Sequence, residues 1–224
     1  MPRESSPRAT KPKSAQGFTR KLLAWFDRHG RDLPWRRTRD PYRVLVSEFM
    51  LQQTQVSRVS EYYPRFLERF PTVEHLARAK RSAVMEEWHG LGYYARARNL
   101  HALAKSVAGS GVLPEEPAEL IKLPGVGRYT AGAVASFAYE KSVPAVDTNV
   151  ARVIRRAFAG GSEKRVWAMA AVLVPRDGKK AWRFNQAIME LGALVCVARK
   201  PKCPECPVRK SCRTGRRVGR RIDA

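Results

Sequence analysis

Hydrophobic residues recur at helical spacing through most of the chain. Phe18, Leu22 and Phe26 repeat every four residues. Leu100, Leu103 and Val107 keep to one helical face, as do Phe184, Ile188 and Leu191. The clearest run is Val150, Val153, Ile154, Ala157 and Phe158, spaced as the buried stripe of an amphipathic helix. No pair of segments alternates apolar and polar residues as paired strands would. Pro64, Pro71, Pro114, Pro117 and Pro124 punctuate the pattern, with Gly30, Gly90, Gly92, Gly125 and Gly127. There is no internal repeat. The pattern predicts an all-α protein.

The 224 residues are 44% hydrophobic, enough for one large or two small domains with real cores. No apolar run reaches the roughly 18 residues of a membrane span. Met1 to Gly17 is basic and polar, with no apolar stretch of a secretory signal. A disordered basic arm is expected over residues 1–16, a transit peptide being the other reading. Arg213 to Ala224 holds five arginines and almost nothing to bury, which predicts a frayed, DNA-contacting tail, assigned to 215–224.

Charge narrows the picture. Lys and Arg number 43 against 20 acids, a formal net charge of +23. Such self-repulsion disfavours a compact state unless a polyanion offsets it, so nucleic acid is the expected partner. An acidic membrane surface is the rival, but the chain shows no basic amphipathic anchor and no lipidation motif.

All four cysteines, Cys196, Cys203, Cys206 and Cys212, fall in one short segment with the spacing C-x6-C-x2-C-x5-C. Four thiolates so confined read as a metal site. Disulfides are disfavoured without a secretory signal. Structural zinc more often shows two C-x2-C pairs across a longer loop. The spacing favours an iron–sulfur cluster and leaves zinc open. Pro201, Pro204 and Pro207 stiffen the segment, and Arg199, Lys200, Lys202, Arg209 and Lys210 give it a basic rim suited to DNA.

Leu123-Pro124-Gly125-Val126-Gly127-Arg128-Tyr129-Thr130 lies between two helical segments and opens a helix expected over 130–139. Gly125 and Gly127 permit close backbone approach, and the next helix points free N–H groups outward. A DNA phosphate fits there; an ordinary helix–turn–helix corner would also explain the string.

Two carboxylates stand out. Asp147 precedes the helix that begins near Val150, so an N-cap explains it as well as a catalytic role does. Glu48 sits inside the apolar run Val44 to Leu51. Desolvation there raises a carboxyl pKa and suits a general acid. None of His29, His75, His89 and His101 forms a metal or triad pattern.

These segments together resemble the endonuclease III superfamily of base-excision glycosylases over roughly residues 17–214. The carriers are the hairpin Leu123 to Thr130, Val146-Asp147-Thr148-Asn149 and the cysteine spacing. Within it, Ser47-Glu48-Phe49-Met50-Leu51-Gln52-Gln53-Thr54-Gln55 is similar to a string of the MutY-type adenine glycosylases. So are Gly90 to Leu100, Leu33-Pro34-Trp35-Arg36 and Phe184 to Ala193.

The resemblance implies a [4Fe–4S] cluster on the four cysteines. It implies that Glu48 protonates a flipped adenine at N7 and then helps water add. Asp147 would stabilise the oxocarbenium-like sugar or bond to it transiently, supported by Tyr129 and Asn149. Gln53 and Tyr93 would wedge into the duplex beside the orphan base. Trp35, Arg36, Leu51 and Glu190 would line the adenine pocket, and Gly125 and Gly127 would hold a phosphate. Tyr129 stands where bifunctional relatives carry a Schiff-base lysine, which implies little strand cleavage. The usual adenine glycosylase also has a C-terminal 8-oxoguanine recognition domain, which the residues given beyond Cys212 are too few to form, so either a naturally short member or a truncated chain is expected.

The expectation is therefore two helical lobes with a DNA cleft between them. One is a helical barrel over 37–145; the other joins 17–36 to 146–214. The partner is double-stranded DNA with adenine mispairs, the protein a monomer, and its location the cytoplasm with the nucleoid, or an organelle or nucleus in a eukaryote. Three rivals stand: a thymine/uracil–guanine mismatch glycosylase of this fold, a bifunctional oxidised-pyrimidine enzyme, and a non-catalytic DNA-binding protein with a structural metal.

Overall fold

The computed structural model describes residues 13–158 and 160–222. In chain order the helices are α1 (Lys13–His29), α2 (Pro41–Leu51), α3 (Val56–Arg69), α4 (Val73–Arg78), α5 (Arg81–Glu87) and α6 (Ala95–Val107). They continue with α7 (Pro117–Leu120), α8 (Arg128–Phe137), α9 (Thr148–Phe158), α10 (Glu163–Leu173), α11 (Gly178–Leu194) and α12 (Arg213–Ile222). Short 3-10 turns lie at Pro34–Arg36 and Arg209–Ser211. No strand occurs among the described residues, as the helical spacing predicts. None of their helices is long and apolar enough to cross a membrane.

The chain divides into two units. The first joins the described residues up to Arg31 to those from Ser142 onward; the second runs from Asp32 to Lys141.

In the first unit α1, α9, α10 and α11 share one core. Phe18 and Leu22 meet Val150, Val153 and Ile154, with Leu173, Phe184 and Ile188, all at most 3% exposed. Each such side chain contributes about 1.5–3 kcal/mol by leaving water. The caps are local: Ser162 accepts from Arg165 N at the start of α10, and Asp177 from Lys180 N at the start of α11. The N-terminal segment of this unit ends at Arg31, ahead of the expected 36, and Trp35 falls in the other unit.

Arg213 onward is not a frayed tail: α12 is helical through Ile222. Its start is pinned. Thr214 Oγ1 donates to the Arg156 carbonyl at 2.9 Å, and Gly215 N donates to Cys212 Sγ at 3.3 Å. The basic arm over 1–16 lies mostly outside the described residues, as do the last two residues of the tail.

In the second unit α2 is the central element. Asp40 caps it by accepting from Arg43 N, and Pro41 supplies a helical φ at its first position. Residues Val44 through Met50 are all buried, so beyond its first turn, where Arg43 is exposed, the helix is covered on every side until the half-buried Leu51. It packs on α3, α6 and α8. The close contact with α8 is allowed by that helix's small residues: Ala131, Gly132, Ala133, Ala135 and Ser136 are all buried.

Candidate active site

Glu48 sits on α2 among Leu45, Val46, Phe49 and Met50 and is 4% exposed. A carboxyl so placed is desolvated, the condition that favours its protonated form. One turn later the half-buried Leu51 ends the helix. The chain then enters a sharp turn in which Gln53 is exposed and holds a left-handed φ of 57°. Tyr93 repeats that conformation, with φ of 46° and 60% exposure. Trp35 is buried with its ring edge-on to Tyr63, centroids 5.6 Å apart, and Arg36 beside it is half-buried. All of these belong to the second unit.

So does the glycine hairpin. Gly125 holds φ of +75°, and a Cβ there would fall 2.6 Å from the Asn99 Cβ, so only glycine fits. Gly127 is extended, and a Cβ there would meet nothing of the protein within 4 Å. It caps α8 without a side chain, which moves the helix start to Arg128, two residues ahead of the expected Thr130. The first-turn N–H groups therefore face outward without a capping side chain. Tyr129, in that first turn, is half-buried.

Asp147 belongs to the first unit and does cap α9: its Oδ1 accepts from Val150 N at 2.7 Å. Its Oδ2 accepts from Asn149 Nδ2 at 2.8 Å. Burial pushes its pKa above the ordinary 3.8, against these hydrogen bonds and the nearby Arg152 charge, which lower it. Capping and a poised carboxylate thus coincide in one residue.

The sequence reading missed Arg152. Its Nη2 donates to Asn149 Oδ1 and to the Gly192 carbonyl, both at 2.7 Å, and its Nε to the Cys196 carbonyl at 2.7 Å. Arg156 was missed too: it donates to Cys196 Sγ at 3.4 Å and to the carbonyls of Val197 and Ala198. The spacing Asn149, Arg152, Arg156 marks one polar face of α9, opposite its apolar stripe, and was the available signal.

Glu190 is 1% exposed and bound by Arg31, whose Nε and Nη2 donate to its two oxygens at 2.7 and 2.9 Å. The backbone N of Arg31 donates to Oε1 as well, at 3.0 Å.

Cys196, Cys203, Cys206 and Cys212 line a single small cavity together with Arg156, Lys202 and Arg209. Burial pushes the Cys206 thiol up to about 11 and raises that of Cys203, each helped by the other cysteines. Among the described residues no group of three or more His, Cys, Asp or Glu could hold a metal ion. The four thiols nonetheless line one cavity, and thiolate is the donor type that both iron–sulfur clusters and structural zinc take.

The exposed hairpin with an uncapped helix start and the buried Glu48 lie in the second unit, and the capping Asp147 lies in the first. The chain belongs to the HhH-GPD superfamily of base excision DNA repair proteins, whose family model matches residues 46–175. It is 48% identical over 194 residues to an adenine DNA glycosylase of Mycolicibacterium smegmatis, covering 84% of this chain and 66% of that one. It is 44% identical over 220 residues to the rat adenine DNA glycosylase, covering 90% of this chain and 42% of that one. The chain thus spans about two fifths to two thirds of the length of these relatives. A solved thermostable thymine-DNA glycosylase is 34% identical with a TM-score of 0.85, covering 92% of this chain and 98% of that one. An endonuclease III trapped covalently on DNA is 26% identical with a TM-score of 0.78, covering 94% and 99%.

Proposed function

We propose that this protein hydrolyses the N-glycosidic bond of adenine mispaired with guanine or 8-oxoguanine in double-stranded DNA. The observation that carries the reading is Glu48, a carboxyl with 4% exposure inside an apolar helix, a few residues before an exposed, left-handed Gln53. The adenine DNA glycosylases named above supply the base.

Glu48 protonates adenine at N7. The C1′–N9 bond then breaks, and its electron pair leaves with a base that has become a better leaving group. Asp147, a carboxylate bonded by Val150 N and Asn149, stabilises the positive charge developing on the sugar. Water adds at C1′ and gives its proton back to the Glu48 carboxylate. Asn149 holds the Asp147 oxygen in place, and Tyr129 supports the same chemistry from the start of α8. Trp35, Arg36, Leu51 and Glu190 shape the base pocket, Glu190 through an orientation set by Arg31. Gln53 and Tyr93 wedge beside the orphan base, the step that lets an enzyme take its target out of the stack. Gly125 and Gly127 bring backbone N–H groups to a phosphate.

The four cysteines would hold a [4Fe–4S] cluster, which would fasten the 196–212 segment and its basic rim. The protein works as a monomer, with the nucleoid of a bacterium or the nucleus or an organelle of a eukaryote as its place.

A thymine–guanine reading has the thymine-DNA glycosylase likeness in its favour. The Gln52-Gln53-Thr54 and Gly90 to Leu100 strings fit it poorly. The test is chromatography of free base released from an A:8-oxoguanine duplex by the wild type and by Glu48→Gln. Free adenine from the wild type, falling at least about 100-fold in the variant, is expected for loss of a general acid. Equal release by both would leave Glu48 a structural residue.

A further inference from the structure

Arg96 is the second residue of α6, a position where the helix dipole disfavours a cation. It is 7% exposed, and no carboxylate among the described residues pairs with it. Burial lowers its pKa, so the guanidinium is held where desolvation works against its charge. What compensates is backbone. Nη1 donates to the carbonyls of Phe49 at 2.9 Å, Met50 at 2.8 Å and Gln52. Nη2 donates to the carbonyls of Leu91 and Gly92, both at 3.0 Å.

Phe49 and Met50 are among the last four carbonyls of α2, which have no partner within the helix. The negative end of that helix dipole favours a cation there. Leu91 and Gly92 belong to the turn that delivers Tyr93. One planar guanidinium thus joins two segments far apart in sequence. Each segment leads directly to an exposed side chain in the left-handed region, Gln53 with φ of 57° and Tyr93 with φ of 46°. Bulky residues stay in that region only when their surroundings hold them. The guanidinium also lies 5.5 Å from the centroid of the Tyr93 ring. A pocket of about 350 Å³ opens at the surface between the two turns, lined by Gln53, Tyr93, Tyr94 and Arg98 among others.

We infer that Arg96 is a positioning residue for duplex readout: it fixes the separation of Gln53 and Tyr93, and with it how both side chains enter the DNA. The inference rests on the wedge role proposed above for those two residues. Lysine cannot replace it, because a single ammonium has no fork wide enough to reach both sets of carbonyls.

The test uses the full chain and a duplex carrying 2-aminopurine next to an A:8-oxoguanine pair. The rise in fluorescence at saturating protein reports unstacking at the wedge and does not depend on which base is excised. Arg96→Lys is expected to cut the rise about tenfold or more, as misplacing a positioned group does, while low-salt duplex affinity changes little. In a Gln53→Ala, Tyr93→Ala background, adding Arg96→Lys is expected to change nothing further, because the arginine acts through those two residues. Gly92→Ala strains the same carbonyls with the arginine intact, so it carries the test should Arg96→Lys fail to fold; a reduced rise is expected there too. No rise with the wild type, a full rise with the folded variants, or an additive loss in the triple variant overturns the inference. Adenine release by the wild type is scored on the same duplex. Its absence would sink the glycosylase reading alone, whereas adenine release with unaltered unstacking in the variants would sink only the role of Arg96.

Discussion

Asn149 and Gly192 meet where α9 passes α11: a Cβ on residue 192 would lie 2.6 Å from the Asn149 Cβ. The Gly192 carbonyl and Asn149 Oδ1 share one donor, Arg152 Nη2. The other end of the Asn149 amide holds Asp147 Oδ2. The approach of two helices therefore sets the position of the candidate catalytic carboxylate. Gly192→Ala should push them apart and lower stability by about 1–3 kcal/mol, the usual cost of overpacking. Single-turnover excision should fall with it. Urea unfolding together with single-turnover rates checks this; an alanine variant with both values unchanged would contradict it.

Asp147 gives a pH signature. Its pKa in the folded protein stands above the ordinary 3.8, because burial outweighs the hydrogen bonds it accepts. The folded state thus binds this proton more tightly than the unfolded chain does. Stability from this group is highest below the ordinary value and falls as pH rises towards the raised one, then levels off. Asp147→Asn keeps a good helix cap and removes the titration. Its stability relative to the wild type should climb with pH through that window, measured by urea unfolding at a series of pH values. A constant difference would mean the carboxyl titrates normally.

The resemblance to endonuclease III puts Tyr129 where bifunctional relatives would carry an amine, and the reading proposed above rests on that placement. Borohydride should therefore trap little covalent protein–DNA adduct with the wild type, read on a denaturing gel. Tyr129→Lys should gain some trapping. Efficient trapping by the wild type would move the chain to the bifunctional branch.

The cysteine cavity predicts colour. Natively purified protein should be brown, with about four iron per chain and little zinc. Cys203→Ser should lose the colour and DNA binding while far-ultraviolet circular dichroism changes less. Stoichiometric zinc in colourless, active protein would overturn the cluster.

Much of the framework was legible in residue spacing. The Val150 to Phe158 stripe is the buried face of α9, and the apolar run around Glu48 is the buried helix α2. The hairpin glycines announced a turn, though the helix after it begins earlier than read, because an extended glycine can cap it. The connections between these pieces were not legible. Arg96, Arg152 and Arg156 act on backbone carbonyls, and a carbonyl carries no residue identity to read. In a chain with 43 Lys and Arg, three structural arginines are hidden among those that read as DNA contacts. The left-handed turns at Gln53 and Tyr93 escaped for a related reason: a non-glycine residue is held there by its surroundings, not by its own preference. The start of α12 is likewise fixed by contacts to Arg156 and Cys212, distant from any local apolar pattern.

The most direct test of the central claim is single-turnover excision on A:8-oxoguanine, A:G, A:C, A:T and T:G duplexes, with hot alkali to reveal each abasic site. The assay is run at low and high salt, because phosphate contacts weaken with salt while contacts to base edges carry the sequence information. Adenine release from A:8-oxoguanine and A:G is predicted, with the preference between them kept at high salt. Thymine release from T:G with adenine untouched in every duplex would contradict the account and establish the mismatch-thymine reading in its place.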